Sequence, residues 1–307
     1  MPGCSTPNGS GVLFAADFLL DDATEADGSG RKPRQHVICG LLEPWLVVSG
    51  LFARLLGELR RWGTSAIPCR SEMDHGWMLN YRVLGVDACK AGWAGIALSD
   101  GTVRAYFAAA ISDLAEQASS SGPLDLIAVD MPIGLPDTGR RQADVLVRKL
   151  VGPRWASVFM TPVRAALAEE DYEAATAVNA RLAGKGISRQ AHGLRTKILE
   201  VDQWVRLAQQ RVVEVHPEAS FTCLAGEPLT VAKSTWAGMV RRRQLLAGAG
   251  IVLADDLGLA GEKAGVDDIL DAAVAAWTAL RVTRGQARSV PETPEVFGDG
   301  LPSAVWS

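Results

Sequence analysis

Carboxylates stand at three places where the pattern of the chain ends a strand or opens a helix. Asp87 closes the apolar run "RVLGVDAC" (82–89), and Asp130 closes the run in "LDLIAVDMPIG". Asp268 and Asp271 lie three apart in the first turn of "VDDILDAAVAAWTALRVTRG", hence on one side of a helix. Ligands of open α/β sheets bind off the carboxyl ends of the strands. If the first and fourth strands are neighbours, Asp87 and Asp130 lie close together. Carboxylates packed in that way repel and lose hydration, a cost that a bound cation removes. Ligands that are oxygen alone point to Mg²⁺ or Mn²⁺ rather than zinc. Asp130 and the helix acids also have plainer uses. Asp130 can accept turn amides ahead of Met131-Pro132, and Asp267, Asp268 and Asp271 can cap the helix or complement its dipole. Asp271 borders the apolar face of Ile269, Ala273, Val274 and Trp277, where capping explains it less well.

"RVVEVHPEASF" (211–221) alternates as a strand does, with Glu214, His216 and Glu218 on one face and Val213, Val215 and Pro217 on the other. That polar face either meets water on an edge strand or looks into a site. Other charged or reactive residues have simple structural alternatives. Cys89 beside Lys90 is an activated thiol or inert packing. "RRR" (241–243) reads as a solvated helix face. "AGKGIS" (183–188) has glycines but not the spacing of a phosphate loop. In "KILEVD", Lys197 and Glu200, with Arg195 nearby, are spaced for ion pairing within a helix.

The elements that must position these groups follow from periodicity. From residue 81 the pattern reads β-β-β-α-β, then helices over about 138–210, then β-α-α. "SDG" (99–101) joins the second and third strands as a tight hairpin. Ser112 is the expected N-cap of the first helix. The continuous apolar run before Asp130 suits a buried central strand. The helical stretch breaks at Gly152-Pro153, Thr161-Pro162 and Gly184–Gly186.

Bulk properties exclude several classes. The 307 residues are 48% hydrophobic and 21% charged, with a mean hydropathy of +0.10, as in a globular protein with a sizeable core. A formal charge of -4 provides no global basic field toward nucleic acid or membrane. The five cysteines (4, 39, 69, 89 and 223) are scattered without a CxxC pair, which argues against a disulfide framework or zinc site and fits a cytoplasmic protein. Residues 1–20 lack a basic n-region, so no secretory signal is expected. The apolar window 38–59 is interrupted by Glu43, Pro44 and Arg54, a poor membrane span and an expected amphipathic helix from about residue 43. Segments rich in Gly, Ser, Pro and Asp make residues 1–80 an expected poorly ordered extension. Met73 and Met78 raise the expectation that the natural product starts near Met78.

"GVDACKAGW", "AVDMPIGLP", "KILEVD", "EVHPEASF" and "DDILDAAVAAWTA", in this order between about Leu84 and Ala304, resemble the domain-of-unknown-function family 429. That family is described as predicted nucleases with a ribonuclease-H-like fold. The resemblance implies one α/β domain over 81–307: a mixed five-stranded sheet flanked by helices, with a helical insertion at about 138–210. Asp87 and Asp130 match the family's first- and fourth-strand acids. Asp268 and Asp271 are similar to paired aspartates on the last helix of Holliday-junction resolvases. Ala88 departs from the family, which usually has glycine after the first acid. With the resemblance, the polar face of 211–221 turns to the cleft, Glu214 as a further metal ligand and His216 as the group that orients a carboxylate or transfers a proton. The implied function is a metal-dependent nuclease. Mg²⁺ or Mn²⁺ is held by Asp87, Asp130, Glu214, Asp268 and Asp271, while Lys90, Arg140, Arg141, Lys185 and Lys197 hold the phosphate backbone of DNA or RNA. Two alternatives stay open. An actin-like or sugar-kinase-like nucleotide binder uses the same sheet but needs two such lobes. A regulatory domain would keep the fold without catalysis.

Overall fold

The computed structural model describes residues 81–307. The expected extension over 1–80, its helix and a start at Met78 lie outside the described residues. β1 (Val83–Cys89), β2 (Gly92–Ser99) and β3 (Thr102–Ala108) form an antiparallel meander. Ser99 pairs with Thr102, so Asp100 and Gly101 alone make the turn, with φ of 49° and 75°. Aspartate and glycine adopt that left-handed backbone more readily than other residues. α1 (Ile111–Ser119) crosses back to β4 (Leu126–Val129), which pairs in parallel with β1. The first and fourth strands are therefore neighbours, as expected.

The helical stretch comprises α2 (Gln142–Leu150), a 3₁₀ turn (Gly152–Ser157), α3 (Arg164–Ala168), α4 (Tyr172–Ala183), α5 (Arg189–Gly193) and α6 (Arg195–Val205). β5 (Val212–Val215) returns to the sheet parallel to β4. Then come α7 (Pro217–Ala225), α8 (Trp236–Gly248), α9 (Leu259–Lys263) and α10 (Val266–Thr283). β6 (Ser289–Val296) and β7 (Pro302–Trp306) complete the chain. The result is a mixed sheet of seven strands in the order β3-β2-β1-β4-β5-β7-β6, flanked by helices.

Three expectations need correction. The sheet has two strands more than five, because β7 joins β5 in parallel and β6 pairs with β7 at the edge. Pro291 and Pro294 hid β6, since proline lacks the ladder donor, but an edge strand accepts it. Residues 211–221 are not one strand either. Pro217 occupies the first helical position of α7, a place that suits its fixed φ, so the strand stops at Val215. At α1 the cap residue is Ala110, while Ser112 Oγ turns to Asp113. The Ile111 amide is satisfied from a distance, donating to Glu200 Oε1 of α6 at 2.8 Å.

Both faces of the central strands are covered. Leu84, Val86, Ile127 and Val129 pack with Ile111 and Leu114 of α1 and Ile198 and Val201 of α6. Val83, Leu126 and Ala128 face the other way, against α10 with its run of small residues from Ala272 to Ala276. Gly85 permits the close approach: a Cβ there would lie 2.0 Å from the Ala276 nitrogen and 2.2 Å from the Ala272 oxygen. With Gly85 seated between Ala272 and Ala276, the first turns of α10 reach the carboxyl end of β1. No helix among the described residues is long and apolar enough to cross a membrane.

Candidate active site

Strand alternation decides which acids meet. Asp87 shares the face of Val83 and Gly85, and Asp130 that of Leu126 and Ala128, so both point toward α10. The Asp130 amide donates to the Val86 carbonyl at 2.9 Å, which holds the two strand ends together. Asp271, on the buried side of α10, completes the cluster. The three border a cleft of about 460 Å³, with Ala88, Arg154, His216, Glu218, Lys233 and Asp268 also at its wall. Lys233 reaches in from the segment between α7 and α8. Its Nζ lies 2.6 Å from Asp271 Oδ2 and 3.5 Å from Asp267 Oδ2.

The electrostatics are those of an acid cluster with too little positive charge. Burial, then the Asp130 and Asp271 carboxylates, push the Asp87 pKa well above the usual carboxylate range. Burial followed by Asp271 raises Asp130 to about 8, although Lys233 pulls the other way. Asp271 rises to about 6, burial outweighing its contact with Lys233. Burial acts to lower the Lys233 pKa, but Asp271, Asp87 and Asp130 override it and hold the ammonium charged well above its ordinary range.

The remaining expected residues divide. Asp268 borders the cleft, but its Oδ2 accepts from the Gly265 amide at 2.9 Å at the start of α10, and Asp267 turns to Lys233 instead. Glu214 is in register with Val129 and so faces the side opposite the aspartates. It reaches the cleft edge, where burial raises it to about 7, yet its Oε2 is taken by Arg141 Nη2 at 2.5 Å and the Ile133 amide at 2.8 Å. His216 follows β5 at the cleft wall. Burial lowers it to about 4, keeping it neutral, and Nδ1 has no partner among the described residues.

None of the basic residues expected to hold phosphate borders the cleft. Lys90, Arg140 and Lys185 are exposed elsewhere. Lys197 pairs with Glu200 at 3.5 Å and lies over the Trp93 ring. Arg141 is fully buried, bound to Glu214, Thr161 and Ser303. The cleft's basic residues are Lys233 and Arg154, and the latter gives Nε and Nη2 to the Leu229 and Thr230 carbonyls. Nothing in the local pattern "TVAKST" marks Lys233. Arg242, in the expected solvated "RRR" face, is instead buried and paired with Glu218 at 2.7 Å. Among the described residues no three His, Cys, Asp or Glu side chains are grouped to hold a metal ion as they stand.

Fold and site together define a mixed α/β protein with an acidic cleft at the carboxyl end of its parallel strands. A family model described as "Protein of unknown function (DUF429)" matches residues 85–296, and the chain belongs to that family. No curated protein and no solved structure matches it.

Proposed function

We propose that the cleft hydrolyses phosphodiester bonds in nucleic acid with Mg²⁺ or Mn²⁺, on a ribonuclease-H-like arrangement of the first five strands. The observation that carries this reading is the charge count: Asp87, Asp130 and Asp271 are brought to one face, with the single ammonium of Lys233 against them. The strand order β3-β2-β1-β4-β5, an antiparallel meander followed by parallel strands, supports the fold assignment. The donors are carboxylate oxygens, which fits a hard divalent cation. As they stand these oxygens are not grouped to hold an ion, and Lys233 Nζ lies against Asp271, so the ammonium must move for an ion to be held there.

Asp87, Asp130 and Asp271 would hold the ion, and Asp268 stays with the helix cap. When bound, the ion supplies a more acidic water and stabilises the leaving oxygen. His216, neutral at the cleft wall, would orient that water; a pKa of about 4 suits orientation better than retention of the proton. The water oxygen forms a bond to phosphorus and releases its proton to solvent, the bond to the ester oxygen breaks, and that oxygen leaves with a proton from solvent. Arg141 and Glu214 hold the loop after β4 in place through the Ile133 amide. A nucleotide-binding reading asks for a second lobe, whereas the described residues form one sheet with one acidic cleft.

The test is to incubate the full chain with labelled single- and double-stranded DNA and RNA in Mg²⁺, Mn²⁺ or EDTA. Cleavage of at least one substrate with either ion and none in EDTA is expected. Failure to cleave any substrate, or equal cleavage in EDTA, contradicts the reading.

A further inference from the structure

We infer that the Lys233 ammonium is a built-in competitor of the divalent ion, occupying the cation seat of the acid cluster until an ion displaces it. The inference rests on the metal reading of the same cleft. Its first support is contact geometry. Nζ is 2.6 Å from Asp271 Oδ2 and 3.5 Å from Asp267 Oδ2, so one oxygen of this cleft-lining aspartate is already bound to a cation. Mg²⁺ binds carboxylate oxygen at about 2.0–2.1 Å. Two cations on that one oxygen would be near neighbours with like charge, and they exclude each other.

A second, independent observation points to a ligand in the same place. Glu218, a residue of the cleft wall, is 6% exposed; its Oε1 accepts from Arg242 Nη2, and its buried Oε2 has no partner among the described residues. The cleft thus keeps acceptor capacity that Lys233 does not use.

The segment around Lys233 also suits exchange. Its backbone is tied, since Arg242 Nη1 donates to the Val231 carbonyl at 3.2 Å and the Thr235 amide to the Ala232 carbonyl at 3.1 Å. The Lys233 side chain, by contrast, is 39% exposed on a flexible four-carbon stem. The ammonium can swing to the cleft mouth while the sheet and helices stay packed.

Mn²⁺ binding to the full-length protein, measured by calorimetry for wild type and Lys233→Met, tests this. Methionine keeps the apolar stem and removes the charge. Competition predicts that Lys233→Met binds Mn²⁺ about tenfold more tightly, within the usual range of coupling between two sites. Equal or weaker binding by the variant, with wild type binding, overturns the competition and leaves the metal reading standing. No binding by either protein sinks the metal reading and the competition with it. Should Lys233→Met fail to fold, the accessibility of Lys233 in wild type decides. Acetylation of Lys233, followed by peptide mass spectrometry, is expected to speed up when Mn²⁺ is added, and an unchanged rate overturns the proposal.

Discussion

In Arg141→Met, Glu214 keeps its buried position but loses the guanidinium that balances its charge, and the Ile133 amide is its remaining partner. Removing one partner of a buried ion pair costs about 3–5 kcal/mol. Urea denaturation should show a loss of that size; full stability with impaired substrate binding would assign Arg141 to phosphate instead. The acids also set a pH dependence. Asp130 near 8, Glu214 near 7 and Asp271 near 6 all sit above their unfolded values. The folded state therefore binds more protons, and their contribution to stability, complete in acid, is lost as pH rises through those values. His216, lowered to about 4, acts in the opposite sense, its contribution being lost only as pH falls below its unfolded value near 6.5. Between about pH 6.5 and 8.5 the acids thus dominate. The melting temperature of the protein in EDTA should fall over that range, and less steeply in Asp130→Asn. A flat or rising wild-type curve contradicts the buried cluster. Asp87, Asp130 and Asp271 were legible in the sequence because strand and helix ends place them. Lys233 was not, because its role depends on a fold-level meeting of the segment before α8 with the start of α10.

Helix α10 positions Asp271 by lying directly on β1, and Gly85 makes that contact possible. In Gly85→Ala the new methyl meets backbone rather than a side chain that can rotate, the nearest atom being 2.0 Å away. Overpacking of this kind costs about 1–3 kcal/mol or more. Because the helix must shift to relieve the clash, Asp271 should move with it. Chemical denaturation should show the lost stability, and calorimetry weaker Mn²⁺ binding; a variant with wild-type values for both would mean that α10 does not set the site. The meander, the crossover and the long last helix were readable from periodicity alone. The passage from β5 to α7 was not, because Val213, Glu214, Val215, His216 and Pro217 continue a strand-like alternation into a helix that proline starts. That one boundary moves Glu218 from the expected strand face to the partner of Arg242. β6 and β7 were missed for the opposite reason: their prolines are tolerated only because of their place near the sheet edge, which no local pattern reveals.

Across the whole molecule, the family match over residues 85–296 covers Asp87, Asp130, Asp271 and Lys233, together with most of the sheet. Acids from β1, β4 and α10 converge on one cleft although they are far apart in the chain, and a net charge of -4 makes any attraction of nucleic acid a matter for the local site. The central claim is that this convergence is a cation-dependent phosphodiesterase centre. Its most direct test is single-turnover cleavage of a labelled oligonucleotide by wild type and Asp130→Asn in saturating Mn²⁺, with both proteins melted in EDTA. Asn keeps the side-chain volume and removes the charge. The expected result is cleavage by wild type alone, with the variant's metal-free stability unchanged or raised. Cleavage by Asp130→Asn at the wild-type rate, or a variant that is destabilised while its Mn²⁺ binding stays intact, would contradict the account.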